Sequence, residues 1–250
     1  MKPQFAVSLM CMDFLNIREQ LDILNRRADY YHIDLMDGHF CKNITLSPDI
    51  VAAISRAATL PMDAHLMATT PNDWLEPMAN AGAKIISPHA ETINTDAFRV
   101  LNRIEQLGCK KGVVLNPATT FDSVRHYIGR LDILTIMTVD VGYAGQAFIP
   151  EMLEKIEEAA NFREKHGYHY LIQVDGSCNA RTYKRLNDAG TDIYVMGSSG
   201  LFGLSKDLNE AYDKMLADFH RETGLYNKKL APEGPGRPES PGRTRRCEIP

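Results

Sequence analysis

Short apolar, β-branched runs alternate with longer amphipathic stretches along most of the chain. That alternation marks repeated βα units around a parallel sheet. The runs predict eight strands, at 5–10, 31–34, 62–66, 84–87, 111–115, 133–137, 170–174 and 193–196. Helical patterns fall between them at 13–27, 47–58, 71–81, 95–107, 121–129, 150–165 and 182–189, with a last one at 208–219. Ser47-Pro48 and Thr70-Pro71 put a hydroxyl at a helix N-cap and proline in the first turn, where its missing N–H costs nothing. Ala81-Gly82, Leu107-Gly108 and Ala189-Gly190 put glycine where helices end. Eight such units, with no G-x-G-x-x-G after the first strand, predict an α/β fold of one domain, a closed (β/α)8 TIM barrel over residues 1–224.

At 225–250 the pattern stops. This segment holds five prolines, three glycines and six Lys/Arg against three Glu, and reads as a disordered, solvated tail rather than a docking arm. Without it the body carries 22 Lys/Arg against 29 Asp/Glu, net −7, where the whole chain is −4. A barrel body this acidic does not present a nucleic-acid surface, so a small molecule is the expected partner. The five cysteines (Cys11, Cys41, Cys109, Cys178, Cys247) are odd in number and form no C-x-x-C pair, which predicts a reducing compartment. The opening MKPQFAVSLMCMDFL shows no cleavage pattern, and apolar runs such as 133–137 fall far short of a membrane span. A cytoplasmic, membrane-free protein is expected.

Polar residues at the C-terminal ends of barrel strands converge on one face. The second predicted strand ends His32-Ile33-Asp34, and a period of two turns both polar side chains one way and Ile33 the other. The third ends Asp63-Ala64-His65, and the seventh runs into Asp175 before Gly176. Two imidazoles and two carboxylates converging from three strands form an N2O2 set for one divalent ion, such as zinc, manganese, cobalt or iron. Taken singly, a strand-end histidine is a hydrogen-bonded polar residue and Asp before Gly a turn former. The eight-unit register is what groups them.

Glycine-rich turns follow the sixth, seventh and eighth predicted strands, at 140–146, 175–177 and 197–200. Any one of them would serve as a tight turn, but three in succession on one barrel face suit an anion held by backbone N–H groups. Met36, Met67 and Met137 sit at or just beyond strand ends, where methionine is usually core filler. Beside a reactive intermediate they would form an apolar floor that excludes water.

The segments SLMCMDF (8–14), HIDLMDGHF (32–40), DAHLM (63–67), HAE (89–91), LNPAT (115–119), MTVDVGYAGQAF (137–148), VDGS (174–177) and MGSS (196–199) together resemble the ribulose-phosphate 3-epimerase family, over about residues 5–220. The resemblance implies a ribulose-phosphate-binding type of barrel in which His32, Asp34, His65 and Asp175 hold one divalent metal ion. It implies that Asp34 and Asp175 are also the acid/base pair, and that Ser8 and His65 touch substrate. The phosphate would lie against Gly142, Tyr143, Ala144, Gly145, Gly176, Ser177, Gly197 and Ser198. Val141-Gly142-Tyr143-Ala144-Gly145-Gln146 stands where the family usually has Pro-Gly-Phe-Gly-Gly-Gln, Asp175-Gly176-Ser177 where it has Asp-Gly-Gly, and Cys41-Lys42-Asn43 where it has Val-Pro-Asn.

The combination of SLMCMD, NITLSP (43–48), HAETIN (89–94) and DGSCN (175–179) is most similar to the D-allulose-6-phosphate 3-epimerase branch. The expected activity is therefore metal-dependent 3-epimerisation of a ketose phosphate, D-allulose 6-phosphate to D-fructose 6-phosphate, by two-base proton transfer through an enediolate. D-Ribulose 5-phosphate is the alternative substrate. The rival classes are a metal-free phosphosugar barrel and a non-catalytic phosphosugar binder. Assembly into a homo-oligomer is an expectation at family level alone.

Overall fold

A computed structural model of the chain describes residues 2–225. All of the 225–250 tail except Leu225, and with it Cys247, lies outside the described residues. The first units are β1 (Gln4–Ser8), α1 (Ile17–Leu24), β2 (Tyr30–Asp37), β3 (Ile44–Thr45), α2 (Pro48–Ser55), β4 (Met62–Met67) and α3 (Asn72–Ala81). There follow β5 (Ile85–Pro88), α4 (Ala90–Ile93), α5 (Ala97–Gln106), β6 (Lys110–Leu115) and β7 (Ile133–Met137). The chain continues through α6 (Met152–His166), β8 (Leu171–Asp175), α7 (Tyr183–Ala189), β9 (Ile193–Met196) and α8 (Leu208–Thr223). Eight strands pair in parallel in the order β1-β9-β8-β7-β6-β5-β4-β2, and β1 pairs with β2 to close the barrel. β3 is antiparallel to the end of β2.

Several elements differ from the expectation. α1 starts at Ile17 rather than 13 because the Asp13 carboxylate accepts from the Leu15 N–H at 3.0 Å and the Asn16 amide at 2.7 Å, which holds 13–16 in a turn. The span 121–129 is not one α-helix but two 3-10 turns, Phe121–Val124 and Ile128–Arg130. Phe121 and Val124 are both buried at the three-residue spacing such a turn provides. Ser47 makes no side-chain cap, and the N-cap of α3 is Pro71, with the Thr70 carbonyl accepting from the Asp73 N–H. The glycine stops are as expected: Gly82, Gly108 and Gly190 all take positive φ. Among the described residues no helix is long and apolar enough to cross a membrane.

The pleat sorts each strand into an outer and an inner face. Phe5, Val7, Tyr31, Ile33, Leu35, Leu134, Ile136, Ile172 and Val174 face the helices in the main apolar core. α5 and α8 meet that core through residues at helical spacing, Ala97, Val100, Leu101 and Ile104, and Ala211, Tyr212, Met215 and Phe219. Phe219 packs edge-on against Phe5, Tyr183 and Tyr194, with ring centroids 5.0–5.1 Å apart, and so seals the seam where β9 meets β1.

Inside the barrel the composition changes with depth. The N-terminal layer is apolar, with Ala6, Ile85, Ile133, Ile193 and Val195 packed together. One pleat nearer the mouth lie His32, Asp63, Ser87, Thr135 and Gln173, all buried and polar. Their polarity is matched internally: Ser87 Oγ donates to Asp63 Oδ1 at 2.7 Å, and Thr135 Oγ1 donates to Gln173 Oε1 at 2.7 Å. Gly112 is required by this layer, because a Cβ there would stand 1.9 Å from Ser87 Oγ. Gly112→Ala is expected to destabilise the barrel by about 1–3 kcal/mol through overpacking, read as a lower midpoint in urea unfolding. An unchanged midpoint would show that Ser87 is free to move.

Candidate metal and acid/base site

The strand register assembles the site. β2 pairs with β4 so that Asp34 lies opposite His65 and His32 opposite Asp63. Ser8 lies opposite His32, and Asp175 opposite Met137. His32, Asp34, His65 and Asp175 consequently bring one ligand atom each to within 4.8 Å of all the others. His32 Nε2 is 3.3 Å from His65 Nδ1 and 3.5 Å from both Asp34 Oδ1 and Asp175 Oδ2. His65 Nδ1 is 3.3 Å from Asp34 Oδ1 and 3.5 Å from Asp175 Oδ2. A tetrahedral ion with bonds near 2.1 Å has edges of about 3.4 Å, so five of the six separations fit one divalent ion.

The electrostatics are those of a site that needs positive charge. Burial raises the Asp34 carboxyl, but the charge and hydrogen bonds of His32 and His65 outweigh it and hold Asp34 well below the usual carboxylate range. Asp175 is shifted the same way: burial raises it and the same two imidazoles bring it down. In return, and against the desolvation that disfavours their charge, His32 and His65 are pushed up by the carboxylates. Protons on the imidazoles thus do in the metal-free protein what a divalent ion would do.

Each histidine is also held from behind. His32 Nδ1 lies 3.3 Å from Asp63 Oδ2, and His65 Nε2 lies 2.8 Å from His89 Nε2. His89 Nδ1 is 3.2 Å from Glu91 Oε2. Burial pushes His89 down to about 4, and Glu91 is lowered to about 2 despite its own burial, chiefly by the His89 hydrogen bond. Asp63 stood at a strand end and HAE among the matching segments, but contacts across strands become readable only once the register is known.

A cavity opens above the quartet. Ser8, Asp34 and Asp175 line it, with Ser8 Oγ donating to Asp34 Oδ2 at 2.7 Å. All three glycine-rich turns reach it: Gly142, Tyr143, Ala144, Gly145, Gly176, Ser177, Gly197 and Ser198 are among its walls. Met10 and Cys11, not expected there, also contribute and fall inside a segment that carries the resemblance, as do Asp140, Gln146 and Ser199 from the glycine-rich turns. His65 does not line the cavity. It is fully buried, with Nδ1 turned to the quartet and Nε2 to His89, so no ring atom remains for a sugar.

Met36, Met67 and Met137 line the cavity but do not form a floor. The period of two places Met36 and Met67, paired with each other, one pleat nearer the mouth than Asp34 and His65, while Met137 is level with Asp175. Met36 and Met67 form a collar above the quartet, and Met137 flanks it beside Asp175. Across the mouth the loops at 41–43 and 140–146 are tied together, Asn43 Nδ2 donating to the Gly142 carbonyl at 2.8 Å and the Tyr143 hydroxyl to the Lys42 carbonyl at 2.6 Å.

Solved structures share the architecture. The KGPDC from Streptococcus mutans aligns with a TM-score of 0.61 at 12% identity, over 89% of this chain and 99% of its own. The 3-hexulose-6-phosphate synthase from Salmonella typhimurium aligns at 0.58 and 15% identity, over 87% and 100%. At that identity the likeness is one of fold. Sequence relatives are nearer. The ribulose-phosphate 3-epimerase of Bacillus subtilis (strain 168) is 39% identical over 196 residues, 78% of this chain and 90% of that protein. That of Aquifex aeolicus (strain VF5) is 36% identical over 211 residues, 84% and 94%. The chloroplastic ribulose-5-phosphate-3-epimerase of Arabidopsis thaliana is 35% identical over 206 residues, 82% and 73%. The description "Ribulose-phosphate 3 epimerase family" matches residues 4–202, and the chain belongs to that family of isomerases.

Proposed function

We propose that this enzyme interconverts the C3 epimers of D-ribulose 5-phosphate, with Asp34 and Asp175 as the two proton carriers. The observation that carries the reading is that two carboxylates, from β2 and β8, meet at one pair of buried imidazoles at the base of a cavity walled by anion-suited turns. The relatives cited above carry the name of that activity. The six-carbon substrate, D-allulose 6-phosphate, is the second reading, supported by the NITLSP, HAETIN and DGSCN segments.

The C3 proton of a 2-ketose is too weakly acidic for an unaided carboxylate to remove. His32, His65, Asp34 and Asp175 would hold a divalent ion, which when bound supplies a Lewis acid that stabilises the charge of an enediolate by several kcal/mol. One aspartate takes the C3 proton and the other returns a proton to the opposite face. A single base would restore the starting configuration unless the intermediate turned over. The Ser8 hydroxyl holds Asp34 by its second oxygen, and the three methionines exclude water from the anion.

The substrate phosphate would be bound by backbone N–H and hydroxyl groups at Gly176–Ser177 and Gly197–Ser199, since among the described residues neither lysine nor arginine lines the cavity. Gly176, at φ +121°, is required in this turn by its backbone conformation and by packing, as a Cβ there would stand 2.7 Å from Val139. Phosphate binding far from C3 orients the reacting carbon between the two acids.

Asp34→Asn and Asp175→Asn are each expected to lower kcat by at least about 10²-fold while the circular dichroism spectrum is kept, and near-normal turnover in either would remove that residue from the pair. On the parent enzyme, kcat/KM for D-ribulose 5-phosphate should exceed that for D-allulose 6-phosphate by at least about tenfold, and the reverse order would assign the hexulose.

The raised pKa values of His32 and His65 stabilise the metal-free fold at low pH, a contribution lost as pH rises through those values. A divalent ion competes with the same protons. Its affinity should rise with pH, and its binding at pH 7 should release protons, seen calorimetrically as a heat that depends on the ionisation enthalpy of the buffer. A buffer-independent heat would contradict the site.

A further inference from the structure

Behind His65 a line of polar groups runs away from the cavity. His65 Nε2 is 2.8 Å from His89 Nε2, His89 Nδ1 is 3.2 Å from Glu91 Oε2, and Glu91 Oε1 accepts from the Asn116 backbone N–H at 3.0 Å and from the Thr119 hydroxyl. Both imidazoles are fully buried, and Phe40 covers the His89 ring with a centroid separation of 4.6 Å. No water is needed to complete the chain of contacts.

The direction of each hydrogen bond follows from the outer end. A backbone N–H can only donate, and a carboxylate can only accept. Glu91 therefore presents an acceptor to His89 Nδ1, which must carry the proton. A neutral His89 then offers a lone pair at Nε2. Two nitrogens 2.8 Å apart cannot both present lone pairs, so His65 Nε2 donates, and the neutral His65 that a metal ligand must be keeps its lone pair on Nδ1, facing His32, Asp34 and Asp175.

We propose that Glu91, acting through His89, is a positioning residue that fixes the tautomer in which His65 offers Nδ1 to a divalent ion. This rests on reading the quartet as a metal site. His32 has a shorter arrangement of the same kind, with Asp63 accepting from Nδ1 and Ser87 holding Asp63.

Substitution by glutamine gives a result that a packing role would not. In Glu91→Gln the Asn116 N–H still requires an oxygen at the Oε1 position, so the amide NH2 turns towards His89 Nδ1. Two donors cannot face each other, and His89 moves its proton to Nε2. His65 must then accept at Nε2 and carry its own proton on Nδ1, the atom that faces the quartet. In Glu91→Ala, His89 keeps a choice of tautomer. The isosteric variant should therefore be the worse metal binder, whereas loss of packing would make alanine the worse one.

The test is zinc affinity by chelator competition on metal-stripped parent, Glu91→Gln and Glu91→Ala, with long-range 1H–15N spectra of the histidines in the zinc-loaded parent. Glu91→Gln should bind zinc about 10- to 100-fold more weakly than the parent and more weakly than Glu91→Ala, and parent His89 should carry its proton on Nδ1. Zinc binding in Glu91→Gln within about twofold of the parent, or affinity lower in Glu91→Ala than in Glu91→Gln, would overturn the proposal alone. So would a parent His89 protonated on Nε2, whether or not the variants fold. Absence of zinc binding by the parent would overturn the metal-site reading and the proposal with it.

Discussion

Two carboxylates and two imidazoles packed within 4.8 Å of one another, with both imidazoles and Asp34 buried, are a costly arrangement that positive charge between the carboxylates relieves. Much of the barrel interior serves that requirement. The β2–β4 register brings Asp34 beside His65, the Asp63–Ser87 pair fixes His32, and Gly112 leaves room for Ser87. An apolar layer closes the base of the barrel, and a methionine collar narrows the mouth. Protons on the histidines meet the need in the metal-free protein, and a divalent ion would meet it better because it leaves the carboxylates free of imidazolium partners.

The fold was legible because fully buried parallel strands are written as short β-branched runs, and the helices between them show apolar positions at three- and four-residue spacing. Elements set by tertiary contacts were not legible. β3 is two residues long and exists because it pairs with the end of β2. α4 has four residues and is placed by His89, which precedes it, and by Ile93, buried in the core. The turn at Ser198–Phe202 is a single π-helical turn, below the length at which periodicity has meaning. Nor does sequence show that Asp13 will spend its carboxylate on a turn rather than begin a helix.

In the site, the quartet could be read from strand ends because a period of two and a barrel register suffice to aim those side chains. The residues behind it could not. Asp63 is adjacent in sequence to the His65 unit but serves His32 on the neighbouring strand, and Glu91 reaches His65 only by way of His89. Depth was the other quantity the sequence withheld. It places Met36 and Met67 near the strand ends, but only the register shared with Asp34 and His65 shows that they stand above those two residues rather than beneath them. His65 illustrates the same limit, since burial from both sides removes it from the cavity wall.

Epimerisation by a pair of aspartates requires that the hydrogen at C3 be exchanged with solvent in every turnover that inverts the centre. The most direct measurement is conversion of D-ribulose 5-phosphate in deuterium oxide, with product and residual substrate followed by proton NMR. The product should carry deuterium at C3 from the earliest detectable turnover and at no other carbon. Product that retains its original C3 hydrogen would contradict proton transfer through Asp34 and Asp175.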